Sequence, residues 1–238
     1  RLFPMSSRLA VLASGRGSNL RALHEYVTHG GRGSVAQISL VLSDHADAGA
    51  LAFARSHDIA AVAVDGGTLG GERLLAQLHS HRVDLVVLAG YLRLVPEIVV
   101  NEYRGRIVNI HPALLPAFGG AGMYGLRVHA AVIASGARVS GATVHFVDER
   151  YDRGAIIAQW PVPVLSADTP QALAARVLRV EHALYPPAVA AVAQSRIALD
   201  ANGRATHMPL PNLDDATFAL DSLDDAALRT AIGIALSA

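Results

Sequence analysis

The 238-residue chain has no cysteine and no lysine; all twenty of its basic side chains are arginine. Without cysteine there is no disulfide, no thiolate zinc site and no cysteine nucleophile. Without lysine there is no Schiff-base amine and no phosphate-loop lysine. The absence of disulfides fits a cytoplasmic protein. Charge of one sign is also missing: twenty acidic groups balance twenty basic ones, for a formal net charge of zero. That argues against a dominant nucleic-acid surface. No apolar run approaches the roughly 20 residues that span a bilayer, so no membrane partner is expected. The opening residues 1–7 are too short for a secretory signal and read as an upstream extension ahead of Met5. What is present is apolar, 52 % of residues, enough to build a full globular core at this length.

The apolar residues are ordered along the chain. Runs at 8–14 (RLAVLAS), 38–42, 60–64, 84–89 (DLVVLA) and 106–111 have the near-continuous apolar character of buried parallel strands. Between them, 19–29, 48–57, 72–81 and 96–103 show helical spacing, such as Leu20, Leu23, Tyr26 and Val27 in the first. A Gly-rich turn follows the third strand. Later come a helix at 126–135, strands at 141–147 and 155–164, and a long helix at 169–194 interrupted at Tyr185-Pro186-Pro187. The alternation predicts an α/β fold with a doubly wound, mostly parallel sheet. Residues 196–208 resemble a hairpin turning at Asn202-Gly203. The expected division is a domain over 1–208 and a tail over 209–238. The tail carries a helical pattern at 224–236, and a packing arm and a dimer contact are both open for it.

In such sheets ligands bind beyond the carboxyl ends of the strands, and four segments fall there. Ser14-Gly15-Arg16-Gly17-Ser18-Asn19 joins a strand to a helix. Its free N–H groups and the helix dipole suit a phosphate, but a plain helix cap explains it equally well. A side chain at Gly17 is expected to crowd the bound anion or to force unfavourable backbone angles. Asn109-Ile110-His111-Pro112 places an amide and an imidazole on one strand face, a donor pair for a developing oxyanion or two polar residues satisfying a loop. Residues 148–154 (DERYDRG) follow a strand bearing Thr143 and His145 on one face. An acid here is able to orient a histidine, yet nothing in the segment selects Asp152 over Asp148 or Glu149, and a charged surface turn is the ordinary reading. Residues 88–95 (LAGYLRLV) carry apolar character past a strand end, as a wall for a flat ligand or as core. His79 and His81 read as surface residues, and His129 and His182 as structural or solvated.

Taken together, the stretches LASGRGSNL, DLVVLAGYLRLV, GRIVNIHPALLPAF, SGATVHFVDERYDRGAIIAQ and RVEHALYP resemble the phosphoribosylglycinamide formyltransferases. The likeness runs from about residue 8 to 208. It implies transfer of a formyl group from 10-formyltetrahydrofolate, as co-substrate, to the amine of glycinamide ribonucleotide in purine synthesis. No metal is expected, and a homodimer stays open. By this similarity the catalytic residues are Asn109, His111 and Asp152. Gly17, Ser18 and Asn19 hold the substrate phosphate, and Glu181 meets the ribose hydroxyls. Leu88, Tyr91, Leu92, Arg93, Leu94, Val95, Val147 and Asp148 line the folate pocket.

Three features depart from the family's pattern. The flap at 118–125 (FGGAGMYG) is longer and richer in Gly. No phosphate-contacting Arg aligns near Arg73. Arg153 stands where a Gly is usual. The hydrolases that act on the same folate share the NIHP segment, but they usually carry a regulatory domain before the first strand, and the GSN turn speaks against them. Formyl transfer to methionyl-tRNA would call for a basic second domain. A silent nucleotide-sensing module would not need Asn109, His111 and Asp152 together.

Overall fold

A computed structural model describes residues 6–29, 36–64, 70–206, 229–230 and 232 of the chain. Its elements are β1 (Ser7–Leu12), α1 (Ser18–His29), β2 (Ala36–Ser43), α2 (Gly49–Arg55), β3 (Ala60–Ala63), α3 (Gly70–Ser80), β4 (Leu85–Leu88), α4 (Glu97–Glu102), β5 (Ile107–His111), α5 (Leu126–Ala134), β6 (Val139–Phe146), β7 (Ile156–Pro163) and α6 (Pro170–Ala193). The strands form one sheet in the order β3-β2-β1-β4-β5-β6-β7. β3 to β5 pair in parallel, while β6 and β7 are added antiparallel.

Alternation along each strand explains why the sheet is covered on both sides. In β1, Leu9 and Val11 feed one buried cluster, with Leu20 and Leu23 of α1, Phe53 of α2, Val132 of α5 and much of α6. Ala10 and Leu12, pointing the other way, join a second cluster with Leu74 and Leu78 of α3 and Val99 of α4. Continuous apolar runs were needed for this, because both faces of a parallel sheet are dry. The chain leaves β1 in one direction for β2 and β3, then returns past β1 to β4. The switch point therefore lies between β1 and β4, where their carboxyl-end loops diverge and leave a crevice.

Two expectations change here. α6 is not interrupted at Tyr185: it runs through Pro186 and Pro187. Each proline removes a helical N–H, but the segment is held from outside. Nearly every residue from Ala183 to Ala193 is buried, and the Tyr185 hydroxyl donates to the Leu88 and Val108 carbonyls, at 2.9 and 3.1 Å. The hairpin is present as a bridge between Leu199 and Ala205 around Asn202-Gly203, with Gly203 at φ 72°. Met208 lies outside the described residues, as do the Gly-rich turn after β3 and most of the tail. Of the helix expected at 224–236, Arg229, Thr230 and Ile232 are described and helical. Ile232 is fully buried in the first core cluster, so this part of the tail packs on the domain.

Candidate active site

The loops after β1, β4 and β5, the turn between β6 and β7, the flap and one face of α6 enclose a cleft of about 780 Å³. Asn109, His111 and Asp152 line it, with Gly17, Ser18, Asn19 and Glu181, and with Leu88, Tyr91, Leu92, Arg93, Leu94, Val95 and Val147. One expected member is missing. Asp148 does not line the cleft, because its carboxylate turns back to accept from the Arg150 N–H at 2.9 Å. Glu149 is also committed elsewhere, to Arg104 on the surface. The choice among three acids that the segment left open is thereby made for Asp152 by geometry.

Strand register assembles the polar group. Antiparallel pairing sets Asn109 opposite His145 and His111 opposite Thr143, so these side chains share one face. His145 Nδ1 lies 2.7 Å from the Phe146 carbonyl. A carbonyl only accepts, so Nδ1 carries the proton and Nε2 of the neutral ring accepts. The Asn109 amide donates to that Nε2 at 3.0 Å, which fixes the amide's orientation and leaves its second N–H free. Burial holds the His145 pKa below its ordinary value, which keeps this ring neutral.

The β6–β7 turn brings Asp152 against both histidines. Its Oδ2 is 3.5 Å from His111 Nδ1 and its Oδ1 is 3.7 Å from His145 Nε2. The flap closes the arrangement from above. The Gly120 N–H donates to Asp152 Oδ2 at 2.8 Å, and His111 Nε2–H donates to the Phe118 carbonyl at 2.9 Å. Phe118 and Asp152 adopt positive φ, 56° and 54°, a strained setting for side-chain-bearing residues. Beneath the flap, the Thr143 hydroxyl donates to the Ala113 carbonyl and accepts from the Leu115 N–H.

At the other end of the cleft, Gly17 has φ 76° and starts α1. A Cβ there would lie 3.0 Å from the Ala50 Cβ and would strain the backbone. The expected backbone penalty for a side chain at Gly17 is present, and the packing of the turn on α2 adds to it. A Cβ at Gly15 would meet nothing within 4 Å, so Gly15 borders the open space. Asn19 is buried and its Nδ2 donates to Glu181 Oε2 at 2.6 Å, while its Oδ1 has no partner. Burial pushes the Glu181 carboxyl up to about 7, against the opposing pull of the Asn19 bond. With β4 lying between β1 and β5, this end sits two strand spacings, roughly 10 Å, from Asn109.

Sequence reading missed several lining residues, Arg16 and His129 among them. Arg16 lines the cleft on the first turn, whereas Arg73 does not; Arg16's position inside the Gly-rich turn was the available signal. His129 is buried at 4 % exposure and lines the cleft rather than being merely structural or solvated. Among the described residues, no three His, Asp or Glu are grouped to hold a metal ion, and no helix is long and apolar enough to cross a membrane.

The arrangement is that of an α/β enzyme with an amide, two imidazoles and a carboxylate gathered at a strand end and a Gly-rich turn at a helix start on the same cleft. The chain matches the formyl transferase family model over residues 7–189 and belongs to that family. It is 46 % identical over 202 residues to the chloroplastic phosphoribosylglycinamide formyltransferase of Arabidopsis thaliana, covering 82 % of this chain and 68 % of that one. With the Vigna unguiculata protein of the same description it shares 44 %, covering 82 % and 64 %. It thus spans about two thirds of the length of these relatives. The crystal structure of phosphoribosylglycinamide formyltransferase from Anaplasma phagocytophilum aligns with a TM-score of 0.76 at 40 % identity, covering 83 % of this chain and 91 % of that one.

Proposed function

We propose that the protein transfers the formyl group of 10-formyltetrahydrofolate to the amine of 5′-phosphoribosylglycinamide, a step of purine biosynthesis. The observation that carries this reading is the convergence of Asn109, His111 and Asp152 about 10 Å from a turn suited to a phosphate. The ribonucleotide lies along the cleft with its phosphate at Gly15–Asn19 and its ribose hydroxyls against Glu181. The folate occupies the wall made by residues 88–95 and Val147, where Tyr91, Leu92 and Leu94 supply apolar area.

The amine attacks the formyl carbon, forming a carbon–nitrogen bond and a tetrahedral oxyanion. The free N–H of Asn109 and His111 Nε2–H donate to that oxygen, the latter exchanging its bond to the Phe118 carbonyl for one to substrate. Asp152, with Oδ2 3.5 Å from His111 Nδ1, orients the ring. It also relays the amine proton toward the departing folate nitrogen, which leaves with its electron pair as the carbon–nitrogen bond to folate breaks. A preorganised donor of this kind contributes on the order of 3–4 kcal/mol.

The test is an assay with both substrates and no added metal. Formylated ribonucleotide and free tetrahydrofolate should appear in equal amounts. Folate deformylation that proceeds equally well without the ribonucleotide would assign the site to hydrolysis instead.

A further inference from the structure

His129 sits on α5 with its ring in the cleft wall and only 4 % exposed. Its Nδ1 is buried and has no hydrogen-bond partner. An unpaired polar atom in a buried place costs about 1–3 kcal/mol, so such an atom beside a ligand cleft calls for a ligand. Solvation does not meet the need by charging the ring. Burial first, and the nearby His111 second, push the His129 pKa down to about 4. The imidazole is neutral at any pH where the enzyme would work, and a neutral imidazole offers one donor and one acceptor.

The place of His129 narrows what it meets. It lies near enough to His111 for their charges to interact, and α5 packs against α6, which carries Glu181. The ring therefore lies in the cleft wall on the side of the transfer group. In the ribonucleotide read above, the part nearest that group is the glycinamide, an amide with one N–H and one carbonyl.

We propose that His129 is a substrate-contacting residue that hydrogen-bonds the amide of the glycinamide and so holds its amine for attack. This inference rests on the proposed function but adds a residue to it. His111 and Asp152 act on the bond being made; His129 fixes the nucleophile's stem. A neutral group suits this task, because a charged imidazole at this place would compete with His111 for Asp152.

The experiment compares His129→Leu, His129→Asn and His129→Gln. The leucine variant fills the space without polar atoms. The amide nitrogen of Asn stands near the place of Nδ1, and that of Gln near Nε2. The expected result is a KM for the ribonucleotide raised about fivefold to tenfold in His129→Leu, the range for one lost neutral hydrogen bond. The dissociation constant of a folate analogue should be unchanged, and one of the two amide variants should recover most of the KM. The amide that rescues identifies the ring nitrogen in use. An unchanged KM in His129→Leu overturns the proposal. So does an equal loss of folate-analogue affinity, or a loss that neither amide restores, since both mean that the ring serves packing alone. If the unaltered protein transfers no formyl group, the functional reading itself fails, a result separate from any of these.

Discussion

Two carboxylates line the same cleft and are kept in opposite circumstances. Glu181 is buried with one neutral partner, the Asn19 amide, and its proton is retained up to about 7. Asp152 stands between two imidazoles and receives a backbone N–H from the flap. Asp152 thus has three polar neighbours, whereas Glu181 has one and its burial opposes the charge. The difference teaches that the cleft's two ends do different work. One end holds a poorly solvated acceptor that waits for donors, as ribose hydroxyls would be. The other end is balanced in its contacts: its carboxylate already has two rings and a backbone N–H beside it. Environment, not residue type, assigns the roles.

The largest effect should come from breaking the balanced end. Asp152→Asn and His111→Ala are each expected to lower turnover about 100- to 1000-fold, with melting temperatures little changed. The double variant should fall only slightly below the worse single one, because groups acting as a unit are not additive. Steady-state rates on the three folded proteins decide this. Near-normal turnover in Asp152→Asn would remove Asp152 from the mechanism, and neither Asp148 nor Glu149 is placed to substitute.

The opposed end is tested through stability. Above its ordinary value of 4.5 an unfolded Glu181 is ionised, while the folded one keeps its proton until about 7. The folded state therefore holds the extra proton in that window, and stability contributed by Glu181 is lost as pH rises through it. The shift corresponds to a cost on the order of 3 kcal/mol above pH 7. Glu181→Gln keeps an acceptor for Asn19 and removes the titration. In urea unfolding without ligand, the variant should match the native protein near pH 4 and exceed it by up to about 3 kcal/mol at pH 8. It should also bind the ribonucleotide more weakly, since a neutral amide accepts less strongly than a carboxylate. A pH-independent difference between the two proteins would contradict the buried, uncompensated state of Glu181.

The same contrast marks what the sequence made legible. Strands with both faces buried were readable from their near-continuous apolar runs. In β1 the apolar run is Leu9–Leu12, after Ser7 and Arg8, and β4 is apolar throughout. The pairing of Asn109 with His111 on one face was readable too, since a period of two is a property of the strand itself. Asp152 could be carried over only by likeness. Within DERYDRG three acids look alike, and the decision is made by Arg104 and the Arg150 N–H, which occupy the other two. His129 escaped notice because a single histidine in an apolar helix has no pattern to disclose its neighbours. The backbone demand on Gly17 was legible from its turn, but its close neighbour Ala50, thirty-three residues further along the chain, was not. The prolines of α6 followed a local rule that tertiary burial overrode.

The smallest predicted effect lies where the two ends meet. Ser14 ends the first strand's run at the switch point. Its hydroxyl accepts from the Leu92 N–H at 3.0 Å and hydrogen-bonds Asp44, and its own N–H donates to the Gly90 carbonyl. The side chain thus ties the folate wall to the strand from which the phosphate turn departs. Ser14→Ala keeps the backbone bond and loses the two made by the hydroxyl. Leu92 is exposed enough for water to take over part of the loss, so the cost should be about 1 kcal/mol, equivalent to roughly fivefold. The loosened element is the 90–95 loop, not the turn, which is fixed separately by Gly17 against Ala50 and by the Ala50 N–H donating to the Gly15 carbonyl. The KM for 10-formyltetrahydrofolate should accordingly rise about fivefold while that for the ribonucleotide stays within experimental error. Paired titrations of each substrate at saturating levels of the other measure both. Equal rises would mean that the two ends form one mechanical unit, and the division between a waiting acceptor and a balanced carboxylate would lose its structural basis.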